Sequence, residues 1–222
     1  MTANPRFHDP IFTFRMVDTG CYFGLTGGVA CGKTTVARMF EDFGAKIIDA
    51  DRLAHELSRA PLPAYKEIVS RFGSEILDSY GEIDRRRLGS VVFADGEKLR
   101  QLSAILHPRI IERIEELAVS FHILAPHAVV LVDAALIYEA GIEKRFTKIL
   151  VAWCRPEQQL ERLMAKARVT REEAERRIAA QMPSEEKRRR ADYVIDCSGS
   201  EEDTRAQVAA LFPQLQRVVE AR

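Results

Sequence analysis

The chain has 222 residues, with 33 Lys and Arg balanced by 33 Asp and Glu, so its formal charge is zero. This length suits one α/β core with small inserted subdomains, and the balanced charge argues against a general nucleic-acid or membrane-surface binder. Four cysteines without a CxxC pair, together with five scattered histidines, argue against a zinc site. No stretch approaches the roughly 20 apolar residues that span a bilayer, and free thiols are typical of a reducing cytosol, so we expect a cytoplasmic protein without a nucleic-acid or membrane partner.

The first twenty residues, MTANPRFHDPIFTFRMVDTG, include Pro5, Asp9 and Pro10 and have no continuous apolar core. We therefore expect no secretory signal here. Residues 1–20 are interpreted as an N-terminal extension. Within it, residues 1–15 precede Met16 and are expected to be weakly ordered, either as an extension or as a misassigned start.

A phosphate-binding pattern follows the first predicted strand. From Gly27 to Thr34 the sequence GGVACGKT satisfies GxxxxGK(S/T), in which glycines let the backbone wrap around an oxyanion and N–H groups point at it. Lys33 is expected to reach the β- and γ-phosphates of ATP, and the Thr34 hydroxyl to take one position on Mg²⁺. The predicted ATP-binding residues form the loop and begin the next helix: Gly28, Val29, Ala30, Cys31, Gly32, Lys33, Thr34 and Thr35.

Both flanks of this loop support the prediction. Residues 21–26, CYFGLT, are typical of a short buried strand. After the loop, apolar residues recur at helical spacing, and Gly44 supplies a stop; they are Val36, Met39, Phe40 and Phe43. A strand, a glycine loop and a helix in this order favour a nucleotide site over a chance glycine turn.

The next segment predicts a second strand and then a helical insertion. Lys46–Ile48 forms the strand, which ends in Asp49-Ala50-Asp51, and residues 54–58 continue as helix. Pro61 and Pro63 open a mainly helical region, with one helix over 65–72, another over 99–106 that is broken at Pro108, and a third over 110–118.

The second half of the chain alternates strands and helices. Residues 128–132 form an apolar run that ends at Asp133, as in a Walker B strand, and residues 148–153 form another strand. Helices follow Pro156 and a capping box at Thr170. A last strand lies within 192–196, and Ser200 caps a helix through Leu211. The pattern predicts an α/β fold with a five-stranded, mostly parallel sheet covered on both faces.

Three features favour a small-molecule kinase: the short chain, the helical insertion and an arginine-rich helical pair after residue 155. In such kinases the insertion holds the acceptor, and the arginine-rich pair closes as a lid that excludes water. We assign residues 21–60, 123–154 and 191–222 to the phosphate-loop core, residues 61–122 to the acceptor domain and residues 155–190 to the lid.

An ordered set of motifs resembles the dephospho-coenzyme A kinase family. The motifs are LTGGVACGKTTVA, IIDAD, LHP, VDAALIYEAG, ERLMAKARVTREEAERRIAAQM and ADYVIDCSGS, and the similarity runs from about residue 22 to 212. The resemblance implies a phosphate-loop kinase that uses ATP to phosphorylate the ribose 3′-hydroxyl of dephospho-CoA, the last step of CoA synthesis. It also implies that dephospho-CoA lies between the core and the insertion.

The resemblance assigns roles to Asp51 and Arg162, and the residues at the strand ends add Asp49 and Asp133 as candidates. Asp51 is the base that orients the acceptor hydroxyl and takes its proton, with helix capping as the alternative. Asp49 either holds Mg²⁺ through water or hydrogen-bonds the loop. Asp133 is the Walker B carboxylate, which could also act through water on the metal or through a structural bond to the loop. Arg162 matches the lid arginine that neutralises charge on the transferred phosphoryl group, with a solvent-exposed charge as the alternative.

Other candidates carry weaker signals. His107, Leu136 and Glu139 are possible acceptor-binding residues, although His107 is better explained by packing or capping, and Glu139 fits a surface position equally well. The basic run Lys187–Arg190 is interpreted as a solvated helix face that helps to attract polyanionic CoA.

The chain departs from the family pattern at three positions: it has Ala135 in place of proline, Lys166 in place of arginine and Cys197 in place of asparagine. Lys166 lacks arginine's bidentate fork. One alternative function is another small-molecule or nucleoside monophosphate kinase, in which Arg85–Arg87 or Arg109 would grip the acceptor phosphate. The other is a nucleotide-dependent switch, but the chain has no NKxD guanine motif.

Overall fold

The computed structural model describes residues 21–93 and 95–221, so the predicted extension at residues 1–20 lies outside the described part of the chain. Its sheet contains the strands β1 (Tyr22–Gly27), β2 (Lys46–Asp49), β3 (Val130–Asp133), β4 (Ile149–Trp153) and β5 (Tyr193–Asp196). They are arranged in the order β2-β3-β1-β4-β5, and every pairing is parallel. The predicted α/β fold with a five-stranded parallel sheet is confirmed.

The helices of the described residues are, in chain order, α1 (Lys33–Asp42), α2 (Ala50–Leu57), α3 (Pro63–Phe72), α4 (Arg85–Phe93), α5 (Gly96–Leu124), α6 (Pro156–Ala167), α7 (Arg171–Ala179), α8 (Ser184–Arg190) and α9 (Glu201–Glu220). Because side chains alternate along a strand, the central strands bury both faces, which explains their continuous apolar runs. Phe23 packs in the cluster formed with α1 and α9, whereas its neighbour Tyr22 packs with α2 and α5.

The strand order places a ligand crevice at the end of β1. The chain leaves β1 toward β2 on one side of the sheet, whereas β4 leads to β5 on the other side. Adjacent strands whose connections diverge leave a crevice at their carboxyl ends, where open α/β sheets bind ligands. The register brings Leu25 and Asp49 level with Asp133, so Asp49 and Asp133 end their strands at the same sheet edge.

Two helices are longer than the sequence predicted. The break expected at Pro108 is wrong, because α5 runs without interruption from Gly96 to Leu124. A proline within a helix removes one backbone hydrogen bond, but α5 packs against α2, α3, α4 and two strands along its length, and this packing outweighs the loss. Helix α9 continues past Leu211 to Glu220, because Leu211, Leu215 and Val219 bury one continuous stripe.

The insertion between β2 and β3 is helical, as predicted, and it contains α4, which the sequence did not predict. Arg85–Arg87 form the first turn of α4. The second half of α5 lies on the sheet, because Ile114 and Ala118 pack with strand residues such as Val130. Helix α5 therefore joins the insertion rigidly to the core.

Candidate functional site

The phosphate loop lies between β1 and α1, and its backbone conformation restricts its residues. Gly32 precedes the helix with φ 98°, and Ala30 has φ 62°, both in the left-handed region that favours glycine. At Gly28 an added Cβ would lie 2.6 Å from Nε2 of Gln159, so no larger residue fits without displacing that side chain. The close packing holds the loop in one shape, as an anion cradle requires.

A cleft of about 820 Å³ opens beside this loop. Its walls come from the loop, the first turns of α1 and α2, the helix α6, the α7–α8 turn and the start of α9. The lining residues outside the loop include Asp51, Ala135, Arg162, Lys166, Gln181, Cys197, Gly199 and Ser200. Among the predicted ATP-binding residues Gly28, Val29, Ala30, Gly32, Lys33, Thr34 and Thr35 line the cleft, whereas the side chain of Cys31 is fully buried.

Asp49 and Asp51 have different positions. Asp49 ends β2 and is the N-cap of α2, where its Oδ1 accepts a hydrogen bond of 2.9 Å from the backbone N–H of Arg52. Asp51 lies in the first turn of α2, because the helix begins at Ala50 and not near Ala54. The capping role considered for Asp51 thus belongs to Asp49. The Asp51 side chain lines the cleft and makes no hydrogen bond or ion pair within the described residues.

Lys33 forms an ion pair with Asp133, the last residue of β3. Burial raises the pKa of Asp133 above its ordinary value, Lys33 lowers it, and the negative charges of Asp49 and Asp51 raise it further. The Lys33–Asp133 ion pair therefore lies at the carboxyl edge of the sheet, with Asp49 and Asp51 near enough to influence the Asp133 carboxyl group. This arrangement fixes the loop lysine at the mouth of the cleft.

Arg162 lies on α6 and lines the same cleft as Asp51. Its Nη2 donates a hydrogen bond of 2.8 Å to the carbonyl oxygen of Cys197, which directly follows β5. A hydrogen bond from Cys31 lowers the pKa of the Cys154 thiol below its ordinary value. Burial opposes this effect, and the positive charge of Arg162 lowers the pKa further. The predicted lid arginine is thus held against the ends of β4 and β5, with Lys166 one turn further along the cleft wall.

All four cysteines are free, as the sequence predicted, and the structure buries each of them. Burial raises the pKa of Cys197 to about 11, and its Sγ would lie 3.0 Å from a Cβ added at Gly32. Cys197 therefore packs beneath the loop as a neutral thiol, where the family pattern has a polar amide.

Two glutamines that the sequence did not single out hold the loop. The N–H of Val29 donates to Oε1 of Gln181 at 2.9 Å, and Nε2 of Gln159 donates to the Val29 carbonyl at 3.0 Å. Gln159 is only 3% exposed, and its Oε1 accepts from the Ser184 hydroxyl at 3.3 Å. Gln181 lies in the quoted AAQM motif, but no local periodicity marks either residue as a contact of the loop.

The solvated face predicted for Lys187–Arg190 is wrong at Lys187. This side chain is fully buried and forms an ion pair of 2.8 Å with Glu139, and its Nζ donates at 2.7 Å to the carbonyl oxygen of Ala135. Glu139 also accepts from the N–H of Met182 at 2.9 Å. The burial of Lys187 could not be predicted from the seven residues of α8. An ammonium group is buried only where a partner is available, and here the partner comes from elsewhere in the chain.

The three weaker candidates, His107, Leu136 and Glu139, lie outside the residues that line the cleft. His107 is half-buried within α5, and this burial lowers its pKa. Leu136 is 49% exposed directly after Ala135. Of the described residues, no group of His, Cys, Asp and Glu has the clustering of a metal cage, and none of the described helices is both long and apolar enough to cross a membrane.

Comparisons with known proteins show which family this chain belongs to. The family model for dephospho-CoA kinase matches residues 21–203. A dephospho-CoA kinase of Bacillus licheniformis is 46% identical over 193 residues, covering 85% of this chain and 94% of that protein. A dephospho-CoA kinase of Aquifex aeolicus is 43% identical over 194 residues, covering 87% of this chain and 97% of that protein.

A solved structure of dephospho-CoA kinase from Campylobacter jejuni superimposes with a TM-score of 0.58 at 27% identity, covering 90% of this chain and 99% of that chain. The match to the family model spans most of the chain, and the relatives at 43–46% identity are covered over nearly their whole length. This chain, an ATP-dependent kinase, therefore belongs to the dephospho-CoA kinase family.

Proposed function

We propose that this protein transfers the γ-phosphoryl group of ATP to the ribose 3′-hydroxyl of dephospho-CoA, giving CoA and ADP. The observation that carries the proposal is that one cleft contains both the phosphate loop and the unpartnered carboxylate of Asp51. Family membership supplies the donor class and names the acceptor. A switch protein would have no use for a free carboxylate facing the phosphates.

The triphosphate of ATP is proposed to lie on the loop. Backbone N–H groups at the start of α1, together with the helix dipole, favour negative charge there. Lys33 would exchange part of its pairing with Asp133 for the β- and γ-phosphate oxygens. The adenosine would extend along the wall made by Arg162, Cys197 and the residues that begin α9, all of which line the same cleft as the loop.

The residues at the sheet edge fit a magnesium ion. Mg²⁺ is usually held by one or two carboxylates, phosphate oxygens and waters, without an all-protein cage. The exposed Thr34 hydroxyl would supply one ligand, and Asp133 or Asp49 would act through water. Bound there, the ion would supply positive charge that offsets the charge developing on the phosphate oxygens.

Asp51 is proposed to act on the acceptor. Its carboxylate would accept the hydrogen bond of the 3′-hydroxyl and so orient that oxygen for in-line attack on the γ-phosphorus. The proton passes to Asp51 as the new bond forms, and the bond from the γ-phosphorus to ADP breaks. Arg162 would leave the Cys197 carbonyl to stabilise the transferred group, and closing of the lid, residues 155–190, would exclude water.

We place the acceptor between the core and the insertion, residues 61–122, so that its ribose reaches Asp51 while the remainder lies along α2 to α5. The zero formal charge of the chain supports a small-molecule substrate over a nucleic acid. We also propose that the enzyme works in the cytoplasm, which fits a chain with free thiols.

A coupled ADP-release assay with Mg·ATP tests the proposal. The protein is supplied in turn with dephospho-CoA, AMP, CMP or no acceptor, and mass spectrometry follows the product. We expect dephospho-CoA alone to stimulate ADP release and to gain one phosphoryl group. Equal stimulation by AMP or CMP would favour a nucleoside monophosphate kinase, and a background rate with every acceptor would refute the proposed acceptor.

A further inference from the structure

Val29, in the middle of the phosphate loop, is held from two sides. Its N–H donates to Gln181 at 2.9 Å, and its carbonyl accepts from Gln159 at 3.0 Å. The two glutamines belong to the region after residue 155, more than a hundred residues away in sequence. Both polar groups of one loop residue are therefore satisfied by side chains from the predicted lid.

This double contact fixes the orientation of the peptide groups on either side of Val29. The next residue, Ala30, has the left-handed φ of 62°, a conformation that a non-glycine residue keeps only when its surroundings hold it there. The amides that follow must face the cleft if they are to bind phosphate. Restraining Val29 thus orders the loop before a ligand arrives, which reduces the entropy lost on binding.

Gln181 also occupies a junction in the fold. It lies between α7, most of whose residues are exposed, and α8, which is attached to the core. Next to it, the Met182 N–H is bound by Glu139, and further along Lys187 is bound by Glu139 and Ala135. Gln181 therefore connects the end of α7 directly to the loop.

We propose that Gln181 is a positioning residue for ATP: it acts through the Val29 amide, holds the phosphate loop in its binding shape and couples the end of α7 to that loop. Gln159 completes the arrangement from the carbonyl side. The inference relies on ATP binding at the loop, as proposed above. Gln181 itself needs no contact with the nucleotide.

The test is Gln181→Met, which keeps the length of the side chain and removes its acceptor. Loss of one neutral hydrogen bond of about 1 kcal/mol corresponds to a roughly 3- to 10-fold change in affinity. We expect the Kd of a non-hydrolysable ATP analogue, measured by calorimetry, and the KM for ATP to rise by about this factor. We expect kcat, the KM for dephospho-CoA and the melting temperature to stay nearly constant, because the loop contributes equally to ground-state and transition-state binding.

Gln214→Met is the matched control, since Gln214 is an exposed glutamine whose amide donates only to the carbonyl of Ala210 in its own helix. It should leave every parameter unchanged. An unaltered ATP affinity in Gln181→Met, with wild-type protein binding ATP normally, would overturn the inference but not the proposed function. Failure of the wild-type protein to bind ATP would instead overturn the proposed function.

A double-mutant cycle gives the second test. Because Gln181 and Gln159 hold the two peptide groups that flank Val29, Gln159→Met combined with Gln181→Met should weaken ATP binding by less than the product of the single effects. Effects that multiply would show that the two glutamines act independently and would overturn the role assigned to Val29. Unfolding midpoints of the variants separate this outcome from a loss of folded protein, since Gln159 is buried.

Discussion

The ion pair between Lys187 and Glu139 provides a sharp test of how α8 is attached to the core. The Lys187 side chain is 0% exposed, and that of Glu139 is 23% exposed. The two partners therefore differ in their access to water. If one of them is removed, the remaining carboxylate can be hydrated, whereas the remaining ammonium group cannot. We expect the two single substitutions to differ in cost for this reason.

Breaking a buried ion pair by removing one partner costs about 3–5 kcal/mol of unfolding free energy. Lys187→Met leaves Glu139 with the Met182 N–H and with access to water, so we expect a loss at or below the lower end, about 2–3 kcal/mol. Glu139→Gln leaves a fully buried ammonium group without a counter-charge, so we expect the full cost of about 3–5 kcal/mol. The double variant should cost less than the sum of the two.

Urea denaturation of the four proteins in this cycle measures these values. Arg189→Met is the control on the same helix, because Arg189 is 70% exposed in its pair with Glu186 and surface pairs contribute about 0–1 kcal/mol. A cost for Lys187→Met equal to that of the control, or a smaller cost for Glu139→Gln than for Lys187→Met, would refute the reasoning.

Two further predictions concern the acidic edge of the sheet. Asp51→Asn should lower kcat by roughly 10²–10⁴-fold. The melting temperature should change little, since the exposed Asp51 side chain has no partner within the described residues. Near-normal turnover, or an equal loss of kcat in the same-helix control Glu56→Gln, would contradict the role of Asp51. Burial raises the pKa of Asp133 above 3.8, so the folded state binds this proton more tightly than the unfolded state does. We therefore compare the unfolding free energies of the wild type and of Asp133→Asn. The wild-type value minus the variant value should fall as the pH rises from about 3.8 to the folded pKa and stay level above it. A difference that does not change with pH in urea titrations would contradict this prediction.

The core of the fold could be predicted because its signals are local. The loop pattern needs a strand before it and a helix after it, and the apolar runs of β1, β3 and β4 are those of strands covered on both faces. The register of parallel strands then brings Asp133 to the loop lysine without further information. Cleft residues that belong to these elements were accordingly identified from the sequence.

The remainder depends on contacts between distant segments. The local sequence around Pro108 predicted a break in the helix. Packing along the whole of α5 outweighs the single hydrogen bond that the proline removes. Lys187 was predicted to be solvated because charged residues surround it in the sequence. Its ion-pair partner, Glu139, lies 48 residues earlier in the chain. Gln159 and Gln181 contact Val29 from more than a hundred residues away in sequence. Contacts between distant segments of this kind produce no periodic pattern in the sequence, so they could not be predicted from it.

The two aspartates of IIDAD show how the fold divides one motif into two functions. Helix α2 begins at Ala50, directly after the last residue of β2. Its first backbone N–H groups therefore lie at the sheet edge and need a hydrogen-bond acceptor. Asp49 supplies that acceptor to Arg52, and this leaves Asp51 free to face the cleft.

This division predicts different results for two substitutions at Asp49. Asparagine caps a helix about as well as aspartate, whereas alanine costs about 1 kcal/mol. If capping is the main role of Asp49, Asp49→Asn keeps kcat within about threefold, and Asp49→Ala chiefly lowers the melting temperature. A tenfold or greater loss of kcat in Asp49→Asn, relieved by raised Mg²⁺, would instead show that its charge holds the metal through water. The Asn and Ala variants together therefore separate the structural role of this carboxylate from a catalytic one, because only the charge distinguishes aspartate from asparagine at a cap.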